Sequence, residues 1–177
     1  PPAHLQGSIR AVYDTRTARH GPEKHTAQPL RLHQVQARTV INAGIPSDVS
    51  KTGMARLEGL LKQYRPELLI LCHGGNDILR RYDLKQTKEN LQTMINMAKT
   101  HGSQVLMIGV PTFGVFLSSA NFYKELATSN RLPLENTVLS DILADNRLKA
   151  DQIHPNSKGY EIFAERIHHL LLESGGV

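Results

Sequence analysis

Two short clusters in this 177-residue chain combine residue types that can do chemistry. The first is Asp151-Gln152-Ile153-His154-Pro155-Asn156. An aspartate placed ahead of a histidine in a loop can hold the imidazole through its δ nitrogen and leave the ε nitrogen to act as a base. Pro155 stiffens the histidine backbone and suits a helix start, with Asn156 or Ser157 as the cap. The same residues also read as a plain capping segment that contains a histidine. The second cluster is His73-Gly74-Gly75-Asn76-Asp77. Two glycines permit a tight turn with close backbone approach, and Asn76 would project a neutral amide donor above it. Such a donor suits a developing oxyanion, where losing one costs roughly 2.7 to 4 kcal/mol in a hydrolase. The competing reading is a local Asx-type turn.

A base and its orienting acid call for a nucleophile, and no local motif supplies one. The chain has no Gly-x-Ser-x-Gly elbow, no Walker loop, no His-Glu-x-x-His and no Gly-x-Gly-x-x-Gly. That removes the common lipase-elbow, nucleotide, zinc-protease and dinucleotide readings. Cys72 falls inside an apolar run, where a core role fits better than catalysis. As the single cysteine it forms no intramolecular disulfide and no cysteine-based metal site. The serines are not ranked by these arguments.

The clusters need a scaffold. From residue 38 onward short apolar runs alternate with amphipathic segments, the pattern of a parallel α/β sheet. Thr39-Val40-Ile41 reads as a buried strand ending at Asn42-Ala43-Gly44. A helix over about 53–64 places Met54, Leu57, Leu60 and Leu61 on one face, and Pro66 stops it. The run from Leu68 to Cys72 is continuously apolar, as a strand covered on both faces requires. A second helix over about 87–101 presents Leu91, Met94, Ile95 and Ala98, and a strand from Val105 to Val110 follows. Thr112 to Ser119 reads as a loop, about 120–129 as a helix, and Leu132-Pro133-Leu134 as a weak strand. The last helix, about 157–172, aligns Tyr160, Phe163, Ile167 and Leu171. Ligands bind at the carboxyl ends of strands in such sheets, which is where His73 to Asp77 falls. One domain over 1–177 is expected, with 1–37 irregular. Pro1-Pro2-Ala3-His4-Leu5 makes a poor first strand because proline removes ladder donors.

Composition narrows the function classes. No run approaches the ~18 to 20 consecutive apolar residues of a membrane span, and no basic-then-apolar leader opens the chain. The net charge of +5 is uneven: residues 1–38 hold six Lys/Arg against Asp14 and Glu23, a net of +4. A basic head can serve an anionic partner, but this one lacks both an amphipathic period and interleaved aromatics. No nucleic-acid partner is expected.

Taken together, Gly74-Gly75-Asn76-Asp77 and Asp151-x-x-His154-Pro155 resemble the third and fifth blocks of the SGNH (GDSL-type) hydrolases. Within that family the resemblance is to the bacterial arylesterase and acyl-CoA thioesterase/lysophospholipase branch. Asn42-Ala43-Gly44-Ile45-Pro46-Ser47-Asp48-Val49-Ser50, followed by Gly53-Met54-Ala55-Arg56-Leu57, is similar to the second block. The first block, Leu-Gly-Asp-Ser-Ile/Leu-Thr-Ala-Gly-Tyr in the family, is matched at Leu5, Ser8, Ile9, Ala11 and Tyr13. Gln6-Gly7 stand in place of its Gly-Asp and Val12 in place of its glycine, and Ser47 takes the position of the family's oxyanion-hole glycine.

The resemblance implies a three-layer α/β/α flavodoxin-like fold with a central parallel sheet of about five strands, the first weak or truncated. It implies hydrolysis of a small-molecule carboxylic ester or thioester through an acyl-enzyme, with no metal or organic cofactor. Ser8 would be the nucleophile, His154 the base and Asp151 its orienting acid. The N–H of Ser8, the N–H of Ser47 and the Asn76 amide would form the oxyanion hole. Ile78, Leu79, Phe113, Phe116 and Leu117 would line the acyl site, and Arg80 with Arg81 would meet a substrate phosphate or carboxylate, although packing and solvation also account for these residues. Two alternatives stand beside this reading: an impaired member acting as a binding module, and a carbohydrate acetylesterase. The chain as it stands reads as cytoplasmic, and as periplasmic or secreted if a leader preceded it.

Overall fold

The computed structural model describes residues 12–14, 40–112 and 118–175. The elements are β1 (Val12–Asp14), α1 (Ser50–Tyr64), β2 (Leu68–Cys72), α2 (Gly75–Leu79), α3 (Leu84–Thr100) and β3 (Gln104–Ile108). They continue with β4 (Pro111–Thr112), β5 (Ser118–Ser119), α4 (Asn121–Asn130), β6 (Leu134–Glu135), α5 (Val138–Ala144) and α6 (Ser157–Glu173). β1, β2, β3 and β6 pair in that order as one parallel sheet, so the expected α/β architecture is the one adopted.

The apolar spacing explains the packing. Every residue of β2 is buried, as its unbroken apolar run requires. Leu57 and Leu61 of α1 and Leu91, Met94, Ile95 and Ala98 of α3 enter the same core, their three- and four-residue spacings placing them on one face of each helix. α1 packs most heavily on α3, and α5 on α6. Arg65 ends α1 in the left-handed conformation one residue before Pro66. Asp83 caps α3 by accepting from the Lys85 N–H at 2.9 Å, and Asn156 caps α6 by accepting from Gly159 N–H at 3.0 Å. Gly159 is held close to the preceding loop, since a Cβ there would lie 2.2 Å from the Leu148 carbonyl oxygen. The start of α6 is thereby locked to residues that flank His154.

Several expectations are corrected. Val40 and Ile41 are half-buried but belong to no strand among the described residues, and only Asn42 makes a single bridge. β-branched residues favour a pleated surface, but a strand also needs a ladder partner. The weak or truncated first strand expected at the start of the chain lies outside the described residues, whereas β1 at Val12–Asp14 was unanticipated, although Val12 and Tyr13 have high strand propensity. The described parallel sheet therefore has four strands. Thr112 and Ser118–Ser119, expected in a loop, pair with Pro111 as an antiparallel ribbon, Pro111–Thr112 against Ser118–Ser119. The short helices α2 and α5 were unanticipated, being 5 and 7 residues long, too short for a clear apolar period. Among the described residues no helix is long and apolar enough to cross a membrane.

Candidate active site

β2 delivers the chain directly into His73-Gly74-Gly75-Asn76. Gly74 turns it with φ 97°, and a Cβ there would lie 2.7 Å from the Tyr123 hydroxyl, so both conformation and space call for glycine. Asn76 and Asp77 then enter the first turn of α2 rather than an Asx turn. Their side chains take distant partners instead of local backbone. Asp77 is buried and accepts from the Ser50 N–H at 2.9 Å and the Ser50 hydroxyl at 2.6 Å, and Asn90 of α3 donates to that hydroxyl at 2.8 Å. Asn76 Nδ2 donates to the Asp48 carbonyl at 2.8 Å. The amide nitrogen carries two hydrogens, and this bond sets the orientation of both.

Residues 45–48 form a turn closed by Asp48 N–H donating to the Ile45 carbonyl at 3.2 Å. Pro46 occupies its second position and Ser47, at φ 62°, its third, the pattern of a type II turn. Ser47, at the position where the resemblance expects a glycine, adopts the left-handed conformation, which is unfavourable for a residue with a Cβ. The turn is closed through the Asp48 N–H, so the N–H of Ser47, an exposed residue, takes no part in that bond. Arg80 Nη2 donates to the Ser47 carbonyl at 3.1 Å, which ties α2 to this turn. Arg80 thus has a structural partner on the block-two loop in addition to any ligand it meets.

The loop from 147 to 156 holds the second cluster. Lys149 bridges Pro155, Ala150 N–H donates to the His154 carbonyl at 2.8 Å, and Asn156 N–H donates to the Leu148 carbonyl at 2.9 Å. His154 Nδ1 lies 2.7 Å from Asp151 Oδ2, and Asp151 Oδ1 accepts from the N–H groups of Ile153 at 2.8 Å and His154 at 2.9 Å. Burial acts to raise the Asp151 pKa. The Ile153 N–H, the His154 ring and the His154 N–H outweigh it and hold the carboxyl below the ordinary aspartate value. An ionised carboxylate only accepts, so Nδ1 carries the hydrogen and the neutral ring keeps its lone pair on Nε2. The pair is open: His154 is 21% and Asp151 54% exposed by side chain.

His73 is a buried histidine that the sequence did not distinguish. Its Nδ1 accepts from Gly74 N–H at 2.9 Å, its carbonyl accepts from the Tyr123 hydroxyl at 2.6 Å, and its ring fills the space where Gly53 lacks a side chain. Burial lowers its pKa to about 4, against the opposing pull of Asp48 and Asp77, with Arg56 adding to the decrease. The native state therefore disfavours protonation. Stability is fully present above the unfolded value of 6.5 and is lost as pH falls towards 4. The loss amounts to about 3 kcal/mol across that window, at about 1.4 kcal/mol per pKa unit. Urea melts at pH 7 and pH 4.5 check it, with His73→Gln expected to flatten the dependence; equal slopes for parent and variant would contradict the assignment.

Ile78 is half-buried and packs on the core, whereas Leu79 is 38% exposed and Arg80 is exposed. Ser8, Phe113, Phe116 and Leu117 lie outside the described residues. Sequence reasoning placed Asp48 and Arg56 in the stretch similar to the family's second block but gave them no role and missed their pairing, for which an opposite-charge pair bracketing the start of a helix was the local signal. Arg56 donates to Asp48 Oδ2 through Nε at 3.0 Å and Nη2 at 2.8 Å, and to the Ala43 carbonyl through Nη1 at 2.8 Å. The 147–156 loop sets a carboxylate on a histidine ring and the start of α2 fixes a side-chain amide, two features whose chemistry suits acyl transfer.

A sequence profile described as the GDSL-like Lipase/Acylhydrolase family matches residues 8–162. An arylesterase of Vibrio mimicus is 31% identical over 140 residues, covering 76% of this chain and 70% of that protein. Esterase TesA of Pseudomonas aeruginosa is 34% identical over 122 residues, covering 66% of this chain and 61% of that protein, so the match spans under two thirds of the Pseudomonas relative's length. The solved psychrotrophic esterase EstA from Pseudoalteromonas sp., described as inhibited by monoethylphosphonate, shares the fold with a TM-score of 0.79 at 19% identity, covering 97% of this chain and 100% of that one. A profile match of that extent, on a scaffold shared with a solved esterase, places the chain in the GDSL-like lipase/acylhydrolase family of ester-bond hydrolases.

Proposed function

We propose that the chain hydrolyses small-molecule carboxylic esters, thioesters included, through an acyl-enzyme. The observation that carries this reading is the 2.7 Å contact between His154 Nδ1 and Asp151 Oδ2. The Ser8 hydroxyl attacks the carbonyl carbon while His154 Nε2 takes its proton. The carbonyl oxygen becomes an oxyanion, held by the N–H groups of Ser8 and Ser47 and by the second hydrogen of Asn76 Nδ2. On collapse the leaving alcohol or thiol receives the proton from His154. Water then repeats the sequence, and the carboxylic acid is released.

A fluorophosphonate probe tests the nucleophile, because it bonds covalently to an activated hydroxyl. The probe choice is supported by the phosphonate inhibition of the similar EstA. Labelling is expected in the parent chain and lost in Ser8→Ala. Thr15→Ala runs beside it, since Thr15 is the first hydroxyl after β1. Loss of labelling in that variant alone would move the nucleophile to Thr15, and no labelling of the parent would favour a binding module. Asn76→Ala is expected to lower kcat for p-nitrophenyl esters by about 10²- to 10³-fold with KM little changed. A parent-like kcat would remove Asn76 from the oxyanion hole.

A further inference from the structure

We propose that Arg56 and Asp48 are positioning residues that hold two oxyanion donors, Ser47 N–H and the Asn76 amide, in one geometry. The inference rests on the esterase reading above and concerns how its oxyanion hole is kept in shape.

Asp48 sits where three requirements meet. Its N–H closes the turn onto the Ile45 carbonyl at 3.2 Å, which keeps Ser47 at φ 62°. Its carbonyl accepts the Asn76 amide at 2.8 Å. Its buried carboxylate takes two donors from Arg56 on Oδ2 and the Thr52 hydroxyl on Oδ1. The same guanidinium reaches back to the Ala43 carbonyl at 2.8 Å. Arg56 therefore staples both ends of the 43–48 loop to α1, a helix whose Leu57 and Leu61 are locked in the core. A planar, always-charged fork suits this geometry, whereas a lysine offers only a point charge.

The staple matters because the turn works against its residue type. Left-handed backbone is unfavourable for serine, and such conformations persist only when the surroundings over-determine them. Glycine at this position would hold φ at little cost; serine needs an external restraint. Without Arg56, Ser47 can relax towards negative φ, its N–H swings away, and the Asp48 carbonyl that orients Asn76 moves with it. Arg56 touches no reacting atom in this scheme. Its effect passes through donors that act more strongly on the transition state than on bound substrate, so it falls on kcat and spares KM.

The experiment measures p-nitrophenyl butyrate hydrolysis by the full chain, the parent beside Arg56→Gln and Arg56→Lys, with circular dichroism and thermal melts on each. Arg56→Gln is expected to lower kcat by about 10- to 100-fold with KM within about twofold, short of the full loss of a donor. Arg56→Lys should fall between the two. In an Asn76→Ala background Arg56→Gln should cost less than in the parent, because part of its effect runs through that amide. Parent-like kcat in Arg56→Gln, a rise in KM alone, or equal cost in both backgrounds would overturn the proposal. Should Arg56→Gln fail to fold, Arg56→Lys decides, a kcat equal to the parent's counting against it. An inactive parent defeats the esterase reading itself; an active parent indifferent to Arg56 defeats only the staple.

Discussion

Replacing His154 with alanine is expected to lower kcat towards p-nitrophenyl esters by about 10⁴- to 10⁶-fold, with the melting temperature little affected. A hydroxyl nucleophile is almost wholly protonated at neutral pH, so without a base it must expel its proton into water as it attacks. The same ring is needed to protonate the leaving group, so both halves of the cycle stall. The fold should tolerate the change: the His154 ring is partly exposed, and the loop is held by backbone bonds from Ala150 and Asn156. Stopped-flow and steady-state kinetics on the purified variant, with a circular dichroism spectrum as control, decide the matter. Residual kcat within about tenfold of the parent would show that the base lies elsewhere, because a true base contributes orders of magnitude more.

Asp151→Asn is expected to lower kcat by about 10⁴-fold while leaving the loop in place. The amide can keep one oxygen for the Ile153 and His154 N–H groups, which the native Oδ1 accepts at 2.8 and 2.9 Å. It then presents an NH₂ group to Nδ1, where the native carboxylate oxygen sits at 2.7 Å. Two donors cannot share that contact. The ring responds by carrying its hydrogen on Nε2, the atom that must accept the nucleophile's proton. The loss is of tautomer and of charge stabilisation for the imidazolium, with no change of shape. Nitrogen-15 chemical shifts of the His154 ring in parent and variant report the tautomer directly, and an unchanged tautomer with unchanged kcat would contradict the role given to Asp151.

Much of the fold was legible where burial imposes a period. α1, α3 and α6 each show an apolar face because one side of the helix enters the core, and β2 is unbroken because both of its faces do. Legibility ended where local propensity and pairing part company. Val40 and Ile41 have the residue types of a strand without a described ladder, while Val12–Asp14, flanked by sequence with no clear apolar period, pairs in register with Ile70–Cys72. The short α2 was hidden because Asn-Asp after two glycines serves an Asx turn or a helix start equally well in local terms. The decision came from partners far along the chain, Asp48 for Asn76 and Ser50 for Asp77.

The contact between Asp151 and His154 was legible in the sequence. Asp151 and His154 are close in the chain, so their contact needs little more than a loop that Pro155 and Asn156 already shape. The tertiary structure decided the surroundings of the proposed oxyanion donors. Ser47, Asp48, Arg56, Asn76, Asp77 and Asn90 come from three separate segments, and their hydrogen bonds span separations of up to 40 residues. Contacts of that range leave no local spacing to read. They exist only once α1, β2 and α3 have packed, because burial is what makes an unsatisfied Asp48 or Asp77 costly and so selects the partners that hold the site together.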